Sequence, residues 1–210
     1  MKEVKALIFD IGGVLAIGSN LKSVGKHLNT KSVHESVANK IGVSLDQYFD
    51  ALDSAYARSI EGKISEEELL NILSTNFHLS KKKIRSLFSF EYKRVFKQNK
   101  ELYQFAFKKK KEGYKIAILS DQWHLSYLPL VPKKYSSRFD LVVLSCLEGM
   151  RKPDPKIYRR TLRRLKISPE ESLFIDNQKW NILAAEKIKM KTILFKNNKQ
   201  LFKQLKLMGI

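Results

Sequence analysis

The sequence predicts an α/β fold, a Rossmann-like parallel sheet core with an all-helical segment inserted after its first strand. Three observations predict it. A short apolar run, Val4-Lys5-Ala6-Leu7-Ile8-Phe9, opens the chain and is closed by Asp10 and the turn-forming Gly12-Gly13. From about Leu21 to Asn99 apolar residues fall at helical spacing and no strand-like run stands out. From Glu101 onward, helical and strand-like runs alternate. Strands that alternate with helices form parallel sheets covered on both faces, which is why each strand reads as a continuous apolar run. The expected division is a core of residues 1–16 and 97–210, with residues 17–96 as the helical insert.

Within the insert, Leu45, Phe49 and Leu52, then Leu69, Leu70 and Ile72, then Ile84, Leu87 and Phe88 mark successive helices. Ser44-Leu45-Asp46-Gln47 and Ser65-Glu66-Glu67-Glu68 have the pattern in which a serine caps a helix and the residue three later reaches back. A helix through Leu102, Phe105 and Phe107 ends at Gly113 and leads into the run Tyr114–Leu119, closed by Ser120. Next come the run Leu141–Leu144, a helix near Pro155–Leu165, and Leu173-Phe174-Ile175 closed by Asp176. A helix from about Trp180 to Ile188, the run Thr192–Phe195 and a last helix over Leu201–Leu207 complete the chain. Ser168-Pro169-Glu170-Glu171 fits a further helical start.

Composition narrows the class. With 43% hydrophobic and 10% aromatic residues over 210 positions, the chain has the apolar content to fold. No apolar run approaches the roughly 20 residues of a membrane-spanning helix, and the start lacks a signal-peptide layout, so a cytoplasmic protein with no membrane partner is expected. The net charge of +19 is scattered over runs such as Lys81–Lys83, Lys108–Lys111 and Arg163-Arg164. None is interleaved with aromatics as a stacking platform would be, so no specific nucleic-acid partner is expected. The charge instead favours encounter with anionic small molecules. Cys146, the sole cysteine, lies in an apolar run and reads as a buried structural thiol. A monomer or a homodimer fits equally.

Ligands of such sheets bind beyond the carboxyl ends of the strands. Asp10, Ser120 and Asp176 each end a strand there, and Lys152 lies in Gly149-Met150-Arg151-Lys152-Pro153-Asp154-Pro155, after the strand ending near Ser145. Two carboxylates, a hydroxyl and a lysine suit phosphoryl transfer, which needs a nucleophile, a divalent ion and donors for charged oxygens.

Phe9-Asp10-Ile11-Gly12-Gly13-Val14-Leu15, the run into Ser120, Gly149 through Pro155, and Phe174-Ile175-Asp176-Asn177 with Asn181 and Ala184-Ala185 resemble, in order, the four motifs of the haloacid dehalogenase superfamily. They look most like the subgroup with a helical cap after the first motif, which includes sugar-phosphate phosphatases and the phosphatase domain of soluble epoxide hydrolases. The resemblance implies a phosphatase acting on a small-molecule phosphate ester. Asp10 would be the nucleophile that forms an aspartyl phosphate, with Ser120 and Lys152 holding the phosphoryl oxygens. Asp10, Asp176 and the Gly12 carbonyl would bind Mg²⁺. Gly12 and Asp121 would contact substrate. Asn177 and Asn181 would either support the metal ligands or cap a helix. Asp53, Tyr56 and Arg58 on the cap are candidates for specificity or for ordinary helix packing.

One departure from the family pattern bears on mechanism. Most of its phosphatases carry an Asp two residues after the nucleophile, where it protonates the leaving group; here Gly12 stands there. A substrate with an acidic leaving group, such as a sugar 1-phosphate, is the favoured explanation. Asp121 or His124 as substitute acid/base is the second, against simpler roles as a helix cap and a surface imidazole. A 2-haloacid dehalogenase is the third, since those enzymes lack the second Asp and also pair a lysine with a tyrosine at the spacing of Lys152 and Tyr158, though they have Ser and Asn around the position of Asp176. A catalytically weak binding or regulatory protein is a further alternative.

Overall fold

The computed structural model describes residues 3–18 and 30–210. Strand β1 (Ala6–Phe9) is buried along its whole length. The chain then turns at Gly13, whose φ of 81° favours a residue without a Cβ, into β2 (Ala16–Gly18). Five helices follow: α1 (Thr30–Ile41), α2 (Leu45–Leu52), α3 (Ala55–Ile60), α4 (Glu66–Phe77) and α5 (Lys81–Val95). The predicted caps form on α2 and α4, where Ser44 and Ser65 accept from Gln47 N and Glu68 N and the third residue's side chain returns to the serine N–H. The chain comes back through β3 (Phe96–Gln98), which pairs antiparallel with β2. Strand β3 is a correction to the expectation that no strand lies between about Leu21 and Asn99; three residues are too few to show alternation. The helical start expected from Leu21 falls partly outside the described residues.

After β3 come α6 (Lys100–Lys111), β4 (Lys115–Ser120), two single turns α7 (Tyr127–Leu130) and α8 (Lys133–Ser136), β5 (Leu141–Leu144) and the turn α9 (Ser145–Glu148). Helix α10 (Pro155–Leu165), β6 (Ser172–Asp176), α11 (Lys179–Lys187), β7 (Lys191–Leu194) and α12 (Asn198–Leu207) complete the fold. The helical start expected at Ser168 is only a three-residue 3-10 turn, Pro169–Glu171. Its capping box forms, but Ser172 already begins β6, so the helix has no room to propagate.

The five long-range strands form one parallel sheet in the order β5-β4-β1-β6-β7. Side-chain alternation feeds two apolar layers. Leu7 and Phe9 of β1 join Leu102 and Ala106 of α6 and Leu201 and Leu205 of α12. Ala6 and Ile8 join Ile157 and Leu162 of α10 and Ile182 and Ala185 of α11. The first layer continues without a break into Val37, Leu70, Leu73, Ile84 and Phe88 of the insert, so the helical cap is packed on the core's side of the sheet end. It packs tightly against the core at Gly62: a Cβ there would stand 2.9 Å from the backbone nitrogen of Gly149. Lysines and arginines lie mostly at the surface. Among the described residues no helix is long and apolar enough to cross a membrane.

Candidate active site

In β1, Phe9 is in register with Ile118 of β4 and Ile175 of β6. Asp10, Ser120 and Asp176 therefore end neighbouring strands on the same edge, as the sequence predicts. The loop between α9 and α10 brings Lys152 over that edge. Its Nζ donates to Asp10 Oδ1 at 2.9 Å and to Asp176 Oδ2 at 2.7 Å. All three groups are buried, Asp176 completely. Burial alone would depress the lysine's pKa, but the Asp10 and Asp176 carboxylates reverse this and hold it above the ordinary lysine range. Burial pushes the Asp10 carboxyl up to about 6 against the opposing pull of Lys152. An isolated buried carboxylate pair would repel, so the lysine is what allows both acids to sit together.

A chain of hydrogen bonds orients the other neighbour of Asp10. Ser126 Oγ donates to Gln122 Oε1 at 2.7 Å, and Gln122 Nε2 donates to Ser120 Oγ at 2.9 Å. Ser120 in turn bonds the Asp10 carboxylate. Gln122 is fixed by Ser145, whose Oγ accepts from its N–H and donates to its carbonyl. Sequence reasoning missed Gln122, Ser126 and Ser145. They meet only through the parallel pairing of β4 and β5, and no spacing signal announces that.

These residues open into a cavity of about 260 Å³, walled by Asp10, Gly12, Ser120 and Lys152 on the sheet side and by cap and loop residues opposite. A model of the haloacid dehalogenase-like hydrolases matches residues 4–189. The chain belongs to this family. Mouse acyl-CoA dehydrogenase family member 10 is 32% identical to it over 201 residues, which cover 91% of this chain and 18% of that protein. A glyceraldehyde 3-phosphate phosphatase of Pyrococcus furiosus is 32% identical over 96 residues, 43% of this chain and 38% of that protein. The chain spans between 18% and 38% of the length of the curated relatives it matches. In fold it is similar to a haloacid dehalogenase family enzyme of Bacteroides thetaiotaomicron in a magnesium complex, with a TM-score of 0.74 and 21% identity over 96% of this chain and all of that one.

For a haloacid dehalogenase-like hydrolase, the oxygen donors at the sheet edge are sparse. No cluster of three or more His, Cys, Asp or Glu side chains exists among the described residues. Two carboxylates remain, with the buried Asn177 Oδ1 beside them lacking any hydrogen-bond partner. Mg²⁺ takes one or two carboxylates and completes its shell with water and substrate oxygens, so this hard-oxygen set fits it. Asp176 is itself held by Gln178 N–H on Oδ1 at 2.7 Å and by Asn181 Nδ2 on Oδ2 at 3.0 Å. Asn181 thus supports the acid, and its carbonyl accepts from the Tyr158 hydroxyl at 3.1 Å.

The simpler roles expected of the two substitute acid/base candidates, helix cap and surface imidazole, do not hold. Asp121 Oδ1 accepts the Lys152 N–H at 3.0 Å and faces Arg151, so it anchors the lysine loop and caps no helix. It still lines the cavity, and burial raises its pKa. His124 is buried, with Nδ1 at 2.8 Å from the Ser59 hydroxyl of α3. Its ring is spent on joining cap to core. Of the cap residues Asp53, Tyr56 and Arg58, only Tyr56 reaches the cavity; the other two are exposed. Tyr92 and Trp123 also line it, joined by a Trp123 Nε1–H bond to the Tyr92 hydroxyl at 2.8 Å. Cys146 is buried and burial pushes its thiol up to about 12, in keeping with a structural thiol.

Proposed function

We propose that this chain is a Mg²⁺-dependent phosphomonoesterase in which Asp10 attacks the phosphorus of a small phosphate ester. The observation that carries the reading is the lysine-bridged pair: Lys152 Nζ within hydrogen-bonding reach of both Asp10 and Asp176 at the carboxyl ends of adjacent strands. Bound Mg²⁺, held by Asp10, Asp176 and the Gly12 carbonyl, would supply charge neutralisation for phosphoryl oxygens. Lys152 and Ser120 turn their donors from the carboxylates to the phosphoryl group as it arrives, and Asp121 keeps the lysine loop in place. An Asp10 oxygen forms the new bond to phosphorus while the ester oxygen departs; water then hydrolyses the aspartyl phosphate and frees Asp10. The cap excludes bulk solvent during both steps.

The phosphatase relative of Pyrococcus furiosus supports this reading. Against the dehalogenase alternative stands Asp176, a fully buried acid held by Gln178 N–H, Asn181 Nδ2 and Lys152 Nζ and suited by its chemistry to a metal. Sugar 1-phosphates are one class for which the absence of an acid at Gly12 costs little. The test is phosphate release from a panel of monoesters with Mg²⁺ or EDTA, in the wild type and Asp10→Asn. Release is expected only with Mg²⁺ and intact Asp10. Release that survives both EDTA and Asp10→Asn sinks the mechanism, and metal-free halide release from 2-chloropropionate would support the dehalogenase instead.

A further inference from the structure

The wall facing Asp10 says what kind of leaving group the cavity takes. It is built from Tyr56, Ile60, Tyr92, Phe96, Trp123 and Leu130. The Trp123 ring is pinned by Tyr56 at 4.9 Å and 66° and by Phe88 at 4.9 Å and 86°, edge-to-face on both sides. Of the polar side chains that line the cavity, Ser126 is bonded to Gln122, Gln122 to Ser120, and Asp121 to the Lys152 N–H, while Arg151, Asn177 and Gln178 also line it. A sugar enclosed here would lose water from several hydroxyls, and each one left against the rings without a partner would cost about 1–3 kcal/mol. An aromatic ring loses nothing comparable and gains edge-to-face contacts.

An independent observation points the same way. By the resemblance to the family's motifs, Gly12 stands where most of its phosphatases carry the acid that protonates the departing oxygen, and the His124 ring is held by Ser59. A phenol, which ionises near 10 as the tyrosine side chain does, can depart without that proton. Tyr92 accepts the indole N–H of Trp123, which directs its own O–H away from the indole. Its hydroxyl is therefore available as a donor in an otherwise apolar wall.

We infer that the substrate class is a small aryl phosphate, the monophosphate ester of a planar phenol whose ring packs against Tyr56, Ile60 and Trp123. This rests on the phosphomonoesterase reading and replaces sugar phosphates within it. The bond from Asp10 to phosphorus forms as the bond from phosphorus to the aryl oxygen breaks. The electron pair leaves on that oxygen as phenolate, which takes a proton from solvent. Water then cleaves the aspartyl phosphate, giving inorganic phosphate and returning the Asp10 carboxylate.

Aryl esters are intrinsically reactive, so turnover alone does not test pocket preference; binding does. Calorimetric titration of the Asp10→Asn protein with Mg²⁺ compares phenyl phosphate, cyclohexyl phosphate, glucose 1-phosphate and glucose 6-phosphate, and phenylphosphonate repeats the measurement on the wild type. Phenyl phosphate is expected to bind at least about 10-fold tighter than either sugar phosphate, and about 3- to 10-fold tighter than cyclohexyl phosphate, the worth of an aromatic pair. Tyr56→Leu, which keeps the wall apolar, should erase the phenyl-over-cyclohexyl preference. A sugar phosphate that binds as tightly as phenyl phosphate overturns the inference, as does absence of binding by every ester. In the first case phosphate release from the sugar by the wild type would leave the phosphatase reading standing. Aryl selectivity without any phosphate release would sink the phosphatase reading and keep the aryl pocket.

Discussion

His34, on α1, lets the junction of cap and core be measured through pH. Its ring is buried among Tyr48, Phe49, Tyr56, Phe88 and Trp123, and its Nδ1 lies 2.6 Å from the Tyr48 hydroxyl. Among the described residues no carboxylate is bonded to it, and burial lowers its pKa from 6.5 to about 4. The unfolded chain therefore binds a proton at His34 that the folded chain refuses. Stability from this group is complete above pH 6.5 and is lost as pH falls toward 4. At about pH 4.5 the loss relative to about pH 7.5 comes to about 2.5 kcal/mol. Asp10, with its folded pKa pushed up to about 6, works in the opposite direction over the same range, because there the folded state holds the extra proton. A wild-type pH profile alone would mix the two. His34→Phe preserves an aromatic ring and removes one titration, and the Tyr48 bond it forfeits is a pH-independent offset. Urea unfolding of both proteins in EDTA, followed by circular dichroism, gives the difference in stability at each pH. That difference should shift by about 2.5 kcal/mol in favour of Phe between about pH 7.5 and about pH 4.5. A difference that stays constant within about 0.5 kcal/mol would refute a neutral, desolvated His34.

Three other substitutions test separate contacts. Gly62→Ala forces a Cβ to 2.9 Å from the Gly149 nitrogen at a φ of 64°, and should cost on the order of 3 kcal/mol in urea unfolding; Gly113→Ala, with open space around it, should cost only its backbone strain. Gln122→Leu removes the donor to Ser120 and leaves Ser126 only the Trp123 carbonyl as acceptor. It should lower kcat for phosphate release about 10- to 100-fold with little change in KM, since it disturbs orientation more than binding. Ser65→Ala deletes one half of the α4 capping box and should lower stability by about 1 kcal/mol, measured by chemical denaturation, with turnover unchanged.

The strands of the core were legible because they are buried on both faces, so β1, β4 and β6 appear in the sequence as unbroken apolar runs ending in a polar residue. The caps of α2 and α4 were legible because a capping box is a local interaction of four residues. The same signature at Ser168 misled, since a box can start a turn but cannot supply the residues a helix needs before Ser172 enters β6. Gln122 and Tyr92 carried no signal at all. The function of each depends on a partner more than twenty residues away: Ser145 for the first, Trp123 for the second. His124 shows the same limit, because the surface imidazole of one reading and the acid/base of the other both ignore Ser59, which lies 65 positions earlier.

The long-range contacts that escaped the sequence are also the ones that close the site. Ser59 bonds the loop after β4 through both the ring and the backbone N–H of His124, and Tyr92 bonds it through Trp123. Both anchors grip residues three and four positions beyond Ser120, which itself bonds Asp10. The bonds that anchor the cap and those that orient Ser120 therefore share one segment, the loop that carries Gln122. Trp123 and Tyr56 belong at once to the junction and to the wall of the cavity, so the proposed selection of the leaving group would rest on the same rings that join cap to core.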